Sequence, residues 1–430
     1  MQTYVYIDNF RGFENTLIPL RQVNFLVGEN STGKTSFLEL IETFSNMPFW
    51  VFEPRYGVSG TQQRHFLDLV SASSASRKAF TIGSIEIAED QALNFGMLVT
   101  YANLDGRPVP TRVSVIQGRC IRTVDGCLWR SGKGEKYRAR CREFKNQIEN
   151  LDYDEELRCL INSHKLSTGF TAKEVSEDRD GMPMFYRFNE NLFEGKDFNE
   201  REARAPYPFM SRFVELAPIR TKPKRTYDAP QTEYSPEGEH TPYVIKKRLT
   251  SKTQAEAFKA FLEQAGQSSG LFKSISVQPY GRGPQAPFEM KIVLGKTPLG
   301  LENVGYGVSQ ALPVLVEMFV RPKRTAFTIQ QPEVHLHPKA QATFGDLIAE
   351  LARSDDKKFF VETHSDFTID RFRLNVRKDG ELSSQLLFFE RKDGCNSVTS
   401  IPIEANGDLS SNQPDAYRSF FFNESLALLS

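Results

Sequence analysis

The chain has 430 residues, of which 39% are hydrophobic, 25% charged and 12% aromatic, and that makeup excludes a disordered, collagen-like or disulfide-dense protein. Lysine plus arginine and aspartate plus glutamate both total 54, so no overall basic excess argues for nucleic acid. The first 45 residues read as strand, turn, strand, loop and helix. Val23–Val27 is an apolar strand and Gly28–Gly33 a loop, while Phe37, Leu40, Ile41 and Phe44 recur on one face of a helix. Alternating β-type runs follow at Phe80–Ile87 and Thr111–Ile116. Residues 111–145 then hold ten Lys/Arg against three Asp/Glu, and residues 146–200 hold six against thirteen. These blocks read as solvated faces that attract each other. Tyr137, Cys141, Phe144, Ile148 and Leu151 are spaced as two heptads of helix.

Five prolines between 217 and 243 mark an extended loop or linker, after which α/β patterning resumes. Thr325–Ile329 is a strand, and Pro338 opens a helix that buries Phe344, Leu347, Ile348 and Leu351. Lys358–Glu362 is another strand, and Gln385–Phe389 with Val398–Ile403 form a hairpin through Asp393-Gly394. The division expected is 1–100 for an N-terminal lobe, 101–205 for a partly helical insertion and 206–430 for a C-terminal lobe. Ala311–Val320 is only ten residues long and contains Glu317, against the roughly 20 apolar residues of a membrane span. The start, Met1–Phe10, has no basic region followed by an apolar run, and the five cysteines form no CxxC pair. A cytoplasmic protein without membrane association is expected.

Four segments carry chemistry. Gly28-Glu29-Asn30-Ser31-Thr32-Gly33-Lys34-Thr35 fits GxxxxGK[ST] between a strand and a helix. There the glycines let backbone N–H groups curl around phosphate, Lys34 reaches the β/γ-phosphates, and Thr35 ligates Mg²⁺. Thr325–Pro338 is a strand followed by Gln330-Gln331-Pro332-Glu333 and His335-Leu336-His337. An acid is expected after such a strand, yet the first two positions are amides, which neither neutralise Mg²⁺ nor accept a proton. Glu333 is the carboxylate nearby, and the two histidines fit packing or supporting roles better than a metal site. Gly305-Tyr306-Gly307-Val308-Ser309 could form a second phosphate nest opening a helix from Gln310. Thr363-His364-Ser365 follows a strand, where a lone histidine is structural unless a γ-phosphate lies within reach.

In this order the four segments resemble the ABC-type ATPase heads of the RecF/SMC superfamily. They resemble more closely the OLD-like bacterial ATPases (overcoming-lysogenization-defect), AAA-type ATPases many of which serve antiphage defence. Asn9-Phe10-Arg11-Gly12-Phe13 is similar to the opening turn of that family, and Gly28–Ser36 to its phosphate loop. Ala217-Pro218-Ile219-Arg220, running to Tyr227 and Gly238-Glu239, is similar to a GPxR segment with alanine for the glycine. GYGVSQALP at 305–313 looks like the signature helix start, PEVHLHP at 332–338 is characteristic, and His364 matches the switch histidine. The resemblance covers about 1–100 and 206–430.

The resemblance implies an α/β fold: a P-loop ABC-type head with a mixed central sheet, an antiparallel β lobe and a small inserted helical/β region. It implies ATP and Mg²⁺ held by Arg11, Gly28, Asn30, Ser31, Thr32, Gly33, Lys34, Thr35 and Ser36 of one subunit and Gly307, Ser309 and Gln310 of another. Thr35 and Gln330 take the metal side, while Gln330, Gln331, Glu333 and His364 take catalysis. Relatives read Glu-Gln-Pro-Glu or Asp-Glu-Pro-Glu here, so their Mg²⁺-site acid aligns with Gln330 and their water-polarising residue with Gln331. ATP hydrolysis is therefore expected to be slow or disabled, in a natural signalling ATPase or a deliberately trapped one. Two heads sandwiching ATP imply a homodimer or higher homo-oligomer. Only 66 residues follow His364, too few for a Toprim domain, so a Toprim or HNH nuclease is expected as a separate effector, with DNA or a phage protein as trigger. The alternative is a RecF-like DNA-repair ATPase clamping DNA through Arg220–Arg225, Lys246–Arg248 and Arg321–Arg324. An SMC-type tether is disfavoured because the insertion is too short for long arms.

Overall fold

The computed structural model describes residues 2–46, 65–73, 77–88, 94–118, 120–126, 136–143, 153–174, 212–228, 230–283, 286–380, 382–411 and 413–418. Two compact units divide the chain. The first is drawn from 1–21, 29–210 and 389–400, the second from 22–28, 211–388 and 401–430. Three strands open the chain: β1 (Gln2–Asp8) and β2 (Thr16–Leu20) in the first unit and β3 (Val23–Gly28) in the second.

The first unit is built on an eight-stranded antiparallel sheet. It adds β4 (Ala79–Ile87), β5 (Phe95–Leu104), β6 (Arg107–Gln117), β7 (Cys120–Asp125), β8 (Lys136–Glu143) and β9 (Thr171–Glu174), in the order β2-β1-β4-β5-β6-β7-β8-β9. Helix α1 (Lys34–Ser45) follows the phosphate-type loop and buries Phe37, Leu40, Ile41 and Phe44, as their spacing predicts. A single helical turn, α2 (Phe66–Leu69), precedes β4. Helix α3 (Tyr153–Lys165) packs Leu157, Leu160 and Ile161 against Tyr6, Ile85, Leu98, Ile116 and Ile121 of the sheet.

The heptad reading of 137–151 fails where it can be checked. Tyr137 and Cys141 lie in β8, which pairs antiparallel with β7 from Cys120↔Glu143 to Asp125↔Arg138; Phe144, Ile148 and Leu151 lie outside the described residues. In β8 Tyr137, Ala139 and Arg140 are buried while Arg138 and Cys141 are exposed, so burial there follows neither the helical spacing of 137 and 141 nor one apolar stripe.

The second unit contains a parallel sheet. β10 (Phe213–Leu216), β14 (Ala326–Gln330), β15 (Lys358–Glu362) and β3 lie in that order, every neighbouring pair parallel. β16 (Ser384–Lys392) follows β3, then β17 (Cys395–Pro402), and the chain passes to the first unit within β16 and back within β17. A small antiparallel sheet joins β11 (Ser274–Pro279), β12 (Phe288–Val293) and β13 (Pro298–Gly300). Helices α4 (Thr241–Leu249), α5 (Ala255–Ser269), α6 (Tyr306–Val320), α7 (Pro338–Asp355) and α8 (Asp366–Asp379) complete the unit.

The middle of β14 and β15 is buried continuously, which is how a parallel strand covered on both faces reads. Helix α6 is buried from Val308 to Met318, whereas α7 is amphipathic and turns Phe344, Leu347, Ile348 and Leu351 inward. Parallel strands bring their C-terminal ends to one edge. Leu216, Gln330, Glu362 and Gly28 therefore end on the same side of the sheet, the side where such sheets bind ligands. Among the described residues no helix is long and apolar enough to cross a membrane.

Candidate functional site

In the second unit β3 closes on Gly28, whose φ of 131° suits glycine alone. The loop continues in the first unit with Glu29, Asn30 and Ser31 exposed and Thr32 buried. Thr32 Oγ1 donates to the Glu29 carbonyl at 2.7 Å, and the buried Lys34 donates from Nζ to the same oxygen at 2.6 Å. Gly33 is the N-cap of α1 at φ 97°, with no side chain capping the helix and no acid in its first turn. The positive end of the α1 dipole is thus uncompensated by the helix's own side chains, with the hydroxyl residues Thr35 and Ser36 in its first turn.

The segment at 9–13 supports this loop. A Cβ on Gly33 would lie 2.4 Å from Phe13 Cζ and 2.9 Å from Asn396 Nδ2, so the ring of Phe13 fixes glycine at 33. Asn396 in turn donates from Nδ2 to the Arg11 carbonyl at 2.9 Å. The Arg11 guanidinium donates to the Glu39 carboxylate and reaches Ser36 Oγ at 3.4 Å. Arg11 therefore braces α1, a role its motif position alone does not reveal.

At the strand ends of the second unit, Gln330 is the last residue of β14 and pairs in register with Glu362 of β15. Gln331 stands at φ 44° and donates its backbone N–H to the Glu362 carbonyl at 2.8 Å. Both oxygens of Glu333 are engaged by the next strand's turn: Oε2 accepts from Thr363 Oγ1 at 2.8 Å and Oε1 from the His364 backbone N–H at 2.7 Å. His364 itself is exposed, and Ser365 caps α8 by accepting from the Thr368 N–H at 3.1 Å. Gln330, Gln331, Glu333 and His364 are thereby gathered at one edge. His337 is the N-cap of α7, and His335 packs edge-on against the exposed Tyr306 with centroids 5.4 Å apart.

The signature-like segment differs from its expected form. Helix α6 starts at Tyr306, so Gly307, Ser309 and Gln310 are already helical instead of forming a loop nest. Gly307 is required by close packing, since a Cβ there would sit 2.8 Å from the His335 carbonyl. Ser309 is buried, donates from Oγ to the Tyr306 carbonyl at 2.8 Å, and lines a pocket with Lys222, Lys224, Tyr227 and Pro313. Gln310 clasps the backbone of Arg220 with both ends of its amide, at 3.3 Å each.

A family model described as "AAA ATPase domain" matches residues 1–92 and 136–369, spanning both the loop and the strand ends. The chain belongs to the AAA ATPase domain family. Among curated proteins, the OLD nuclease of Thermus scotoductus is 31% identical over 138 residues, 30% of this chain and 26% of that protein. The match thus spans about a quarter of that relative's length. Solved structures similar in course include an SMC head bound to the C-terminal winged-helix domain of ScpA, at TM-score 0.45, 11% identity and coverage of 94% of this chain and 98% of that one. A Pyrococcus furiosus-derived SMC head with an extended coiled coil, bound to the C-terminal domain of ScpA, gives TM-score 0.44 and 11% identity over 99% of each chain.

An AAA ATPase acts on ATP with Mg²⁺, and the donors here fit both. The 28–34 loop, Lys34 and the α1 terminus suit a triphosphate. Among the described residues no cluster of three or more His, Cys, Asp or Glu could hold a metal unaided. Nucleotide-borne Mg²⁺ keeps water and phosphate oxygens and needs only one or two carboxylates besides a hydroxyl such as that of Thr35.

Two residues of this AAA ATPase domain stand out only in the structure. Arg220 is 3% exposed; its Nη2 donates to the Gln330 carbonyl at 3.0 Å, while Nε and Nη1 have no partner among the described residues. Burial pulls its pKa down to about 10, with the Glu333 charge opposing the shift. Glu362 is a buried carboxylate closing the apolar strand β15; its signal in the sequence is one acid after Phe359-Phe360-Val361. The basic clusters suggested for DNA serve partly inside the fold: Arg220 as described, Lys246 on the Ala286 carbonyl at 2.8 Å, and Arg321 on the buried Glu317.

Proposed function

We propose that this AAA-family chain binds ATP with Mg²⁺ through Lys34 and Thr35 and that ATP occupancy pairs two copies into a long-lived assembly. In that reading Gly28–Ser36 carries the phosphates, and Gly307, Ser309 and Gln310 belong to the segment a neighbouring copy reads. The pair is a sensor or scaffold for a separate effector nuclease in antiphage defence, by analogy with the OLD relationship. The observation that carries the ATP reading is the α1 start: a left-handed glycine cap, no competing side-chain cap, and a buried lysine folded back into the loop.

When bound, Mg²⁺ neutralises phosphate charge and Thr35 is its hydroxyl ligand. Lys34 holds the β/γ-phosphates. Gln331, an amide where relatives carry a water-polarising residue, can orient water by hydrogen bonding but cannot take its proton. Glu333 is the nearby carboxylate, and its two oxygens are engaged by Thr363 and His364. Slow turnover follows, and the paired state persists while ATP remains.

Titration calorimetry on the full chain tests the loop. Lys34→Ala is expected to lower affinity for Mg²⁺-ATP at least a hundredfold, because it removes the cation on the β/γ-phosphates. Unchanged affinity would overturn the assignment.

A further inference from the structure

The phosphate chemistry leaves one stretch of sequence unexplained, the run from Ala217 to Glu239 with its Pro-Ile-Arg, tyrosine and Gly-Glu positions. Within the second unit this run, the start of α4 and the flank of α6 line a pocket of about 510 Å³, open solvent at its mouth included. Small-molecule sites have volumes of that order. The run is pinned in place. Thr221 donates its N–H to the Glu237 carbonyl at 3.0 Å, and the Lys224 N–H donates to Tyr227 Oη at 3.2 Å. Tyr227 exchanges backbone hydrogen bonds with Phe288 of β12 at 2.9 and 3.1 Å. Gly238 turns at φ 83°, and a Cβ there would meet Pro313 of α6 at 2.6 Å, so the closing turn sits directly on that helix.

The wall of the pocket is apolar, with Tyr227, Ile245, Met290, Leu301 and Leu312 all buried. The Tyr227 ring is held by stacking on Phe288, centroids 5.3 Å apart, and by Tyr243 edge-on at 6.1 Å. Polar groups are few and favour one sign of charge. Lys222 and Lys224 are exposed at the pocket, and neither ammonium has a hydrogen bond or ion pair among the described residues. Glu239, the one acid among the described lining residues, is already bound by Gln231 Nε2 at 2.7 Å. Thr241 opens α4, which has no acid in its first turn and no side-chain cap, so the positive end of its dipole lies at the pocket. The Thr241 and Tyr243 N–H groups are taken by the Gly238 and His240 carbonyls, and the helix therefore offers its field instead of backbone donors. The donor is the Thr241 side chain. It is 3% exposed, and its Oγ1 has no hydrogen-bond partner among the described residues. Buried hydroxyls are normally paired, and one left over at a pocket wall is matched by an acceptor on a ligand.

We propose that this pocket binds a small phosphate monoester with an apolar body, at a site separate from the phosphate loop. The two ammonium groups act on the dianion as point charges, which need no fork geometry. Thr241 Oγ1 donates to a phosphate oxygen, and the wall around Tyr227 takes the apolar body. Ser309 lines the same pocket, which puts the ligand against the first turn of α6. No residue of 28–36 takes part, so binding here does not depend on the ATP reading.

Calorimetry on the full chain tests this with phenyl phosphate, a dianion at about pH 8, and with inorganic phosphate and phenol as its two halves. Phenyl phosphate is expected to bind saturably, one per chain, and at least about tenfold tighter than either half, because ionic and apolar contacts then act on one molecule. Lys222→Gln together with Lys224→Gln is expected to weaken it about tenfold or more. Thr241→Val keeps the side-chain shape and is expected to weaken it about fivefold, with an unfolding temperature unchanged or raised because no bond of the free protein is lost. Should that variant fail to fold, the exposed lysine pair still decides the matter. Lys34→Ala is expected to leave the affinity for phenyl phosphate unchanged. The proposal is overturned by the absence of saturable binding, by binding no tighter than that of inorganic phosphate, or by full affinity in either folded pocket variant. Loss of binding in Lys34→Ala would overturn it as well, by placing the ligand in the phosphate loop.

Discussion

At the scale of single residues, the loop is held by a few contacts that leave little freedom. Gly33 combines a left-handed backbone with the ring of Phe13 where a Cβ would go, so two separate physical demands select the same residue. Gln331 shows the opposite situation, a backbone position at φ 44° that amide and acid occupy with equal strain. Exchange there changes chemistry without changing shape. Gln331→Glu is accordingly expected to raise steady-state ATP hydrolysis by about a hundredfold, the scale on which one well-placed electrostatic group acts. Phosphate release measured on both chains decides this: brisk hydrolysis by the parent, with no gain in the variant, would mean another group activates the water.

At the scale of elements, helix α3 illustrates why one buried side chain controls a local equilibrium. His164 sits beneath the antiparallel sheet with Ser114 Oγ at 2.7 Å and Thr100 Oγ1 at 2.8 Å. Burial, then the charges of Arg112, Lys165 and Arg140, lower its pKa from 6.5 to about 3. The folded chain keeps the ring neutral while the unfolded chain protonates near 6.5, so this contribution to stability is whole above that pH and is lost as pH falls toward 3. At pH 5 the loss is about 2 kcal/mol. Urea unfolding at pH 7 and pH 5 should show a drop in stability that His164→Gln reduces by about that amount. An equal drop in both chains would place the acid sensitivity elsewhere.

The same element shows what could be read in advance. Leu157, Leu160, Ile161 and His164 follow helical spacing and are all buried, yet the 4-3 pattern starting at Tyr137 drew the helix too early. Strand pairing with the preceding strand β7 overrode that local pattern, and pairing between two segments is not written in either segment alone. Helices α1 and α7 were legible because each keeps one apolar stripe and a clear start. Helix α6 was legible in composition but not in its start, since Tyr306 begins a helix where two glycines pointed to a loop.

At the scale of the whole molecule, the strand–loop–helix course around Gly28–Gly33 and the turn at 332–338 that leads into a helix were readable because backbone chemistry restricts their residue types. Arg220 and Glu362 were not, because their meaning depends on burial and on which strands are neighbours. The parallel order β10-β14-β15-β3 supplies that meaning by gathering four strand ends at one edge. A nucleotide held there and read by a second copy would link occupancy to assembly, because a ligand shifts an equilibrium only by its preference for one state. The most direct measurement is sedimentation of the full chain in buffer, with Mg²⁺-ADP and with Mg²⁺-ATP. The expected result is a mass at least doubled with ATP alone, persisting for many minutes because turnover is slow, and absent in Lys34→Ala. A mass that is the same in all three conditions would contradict ATP-driven pairing.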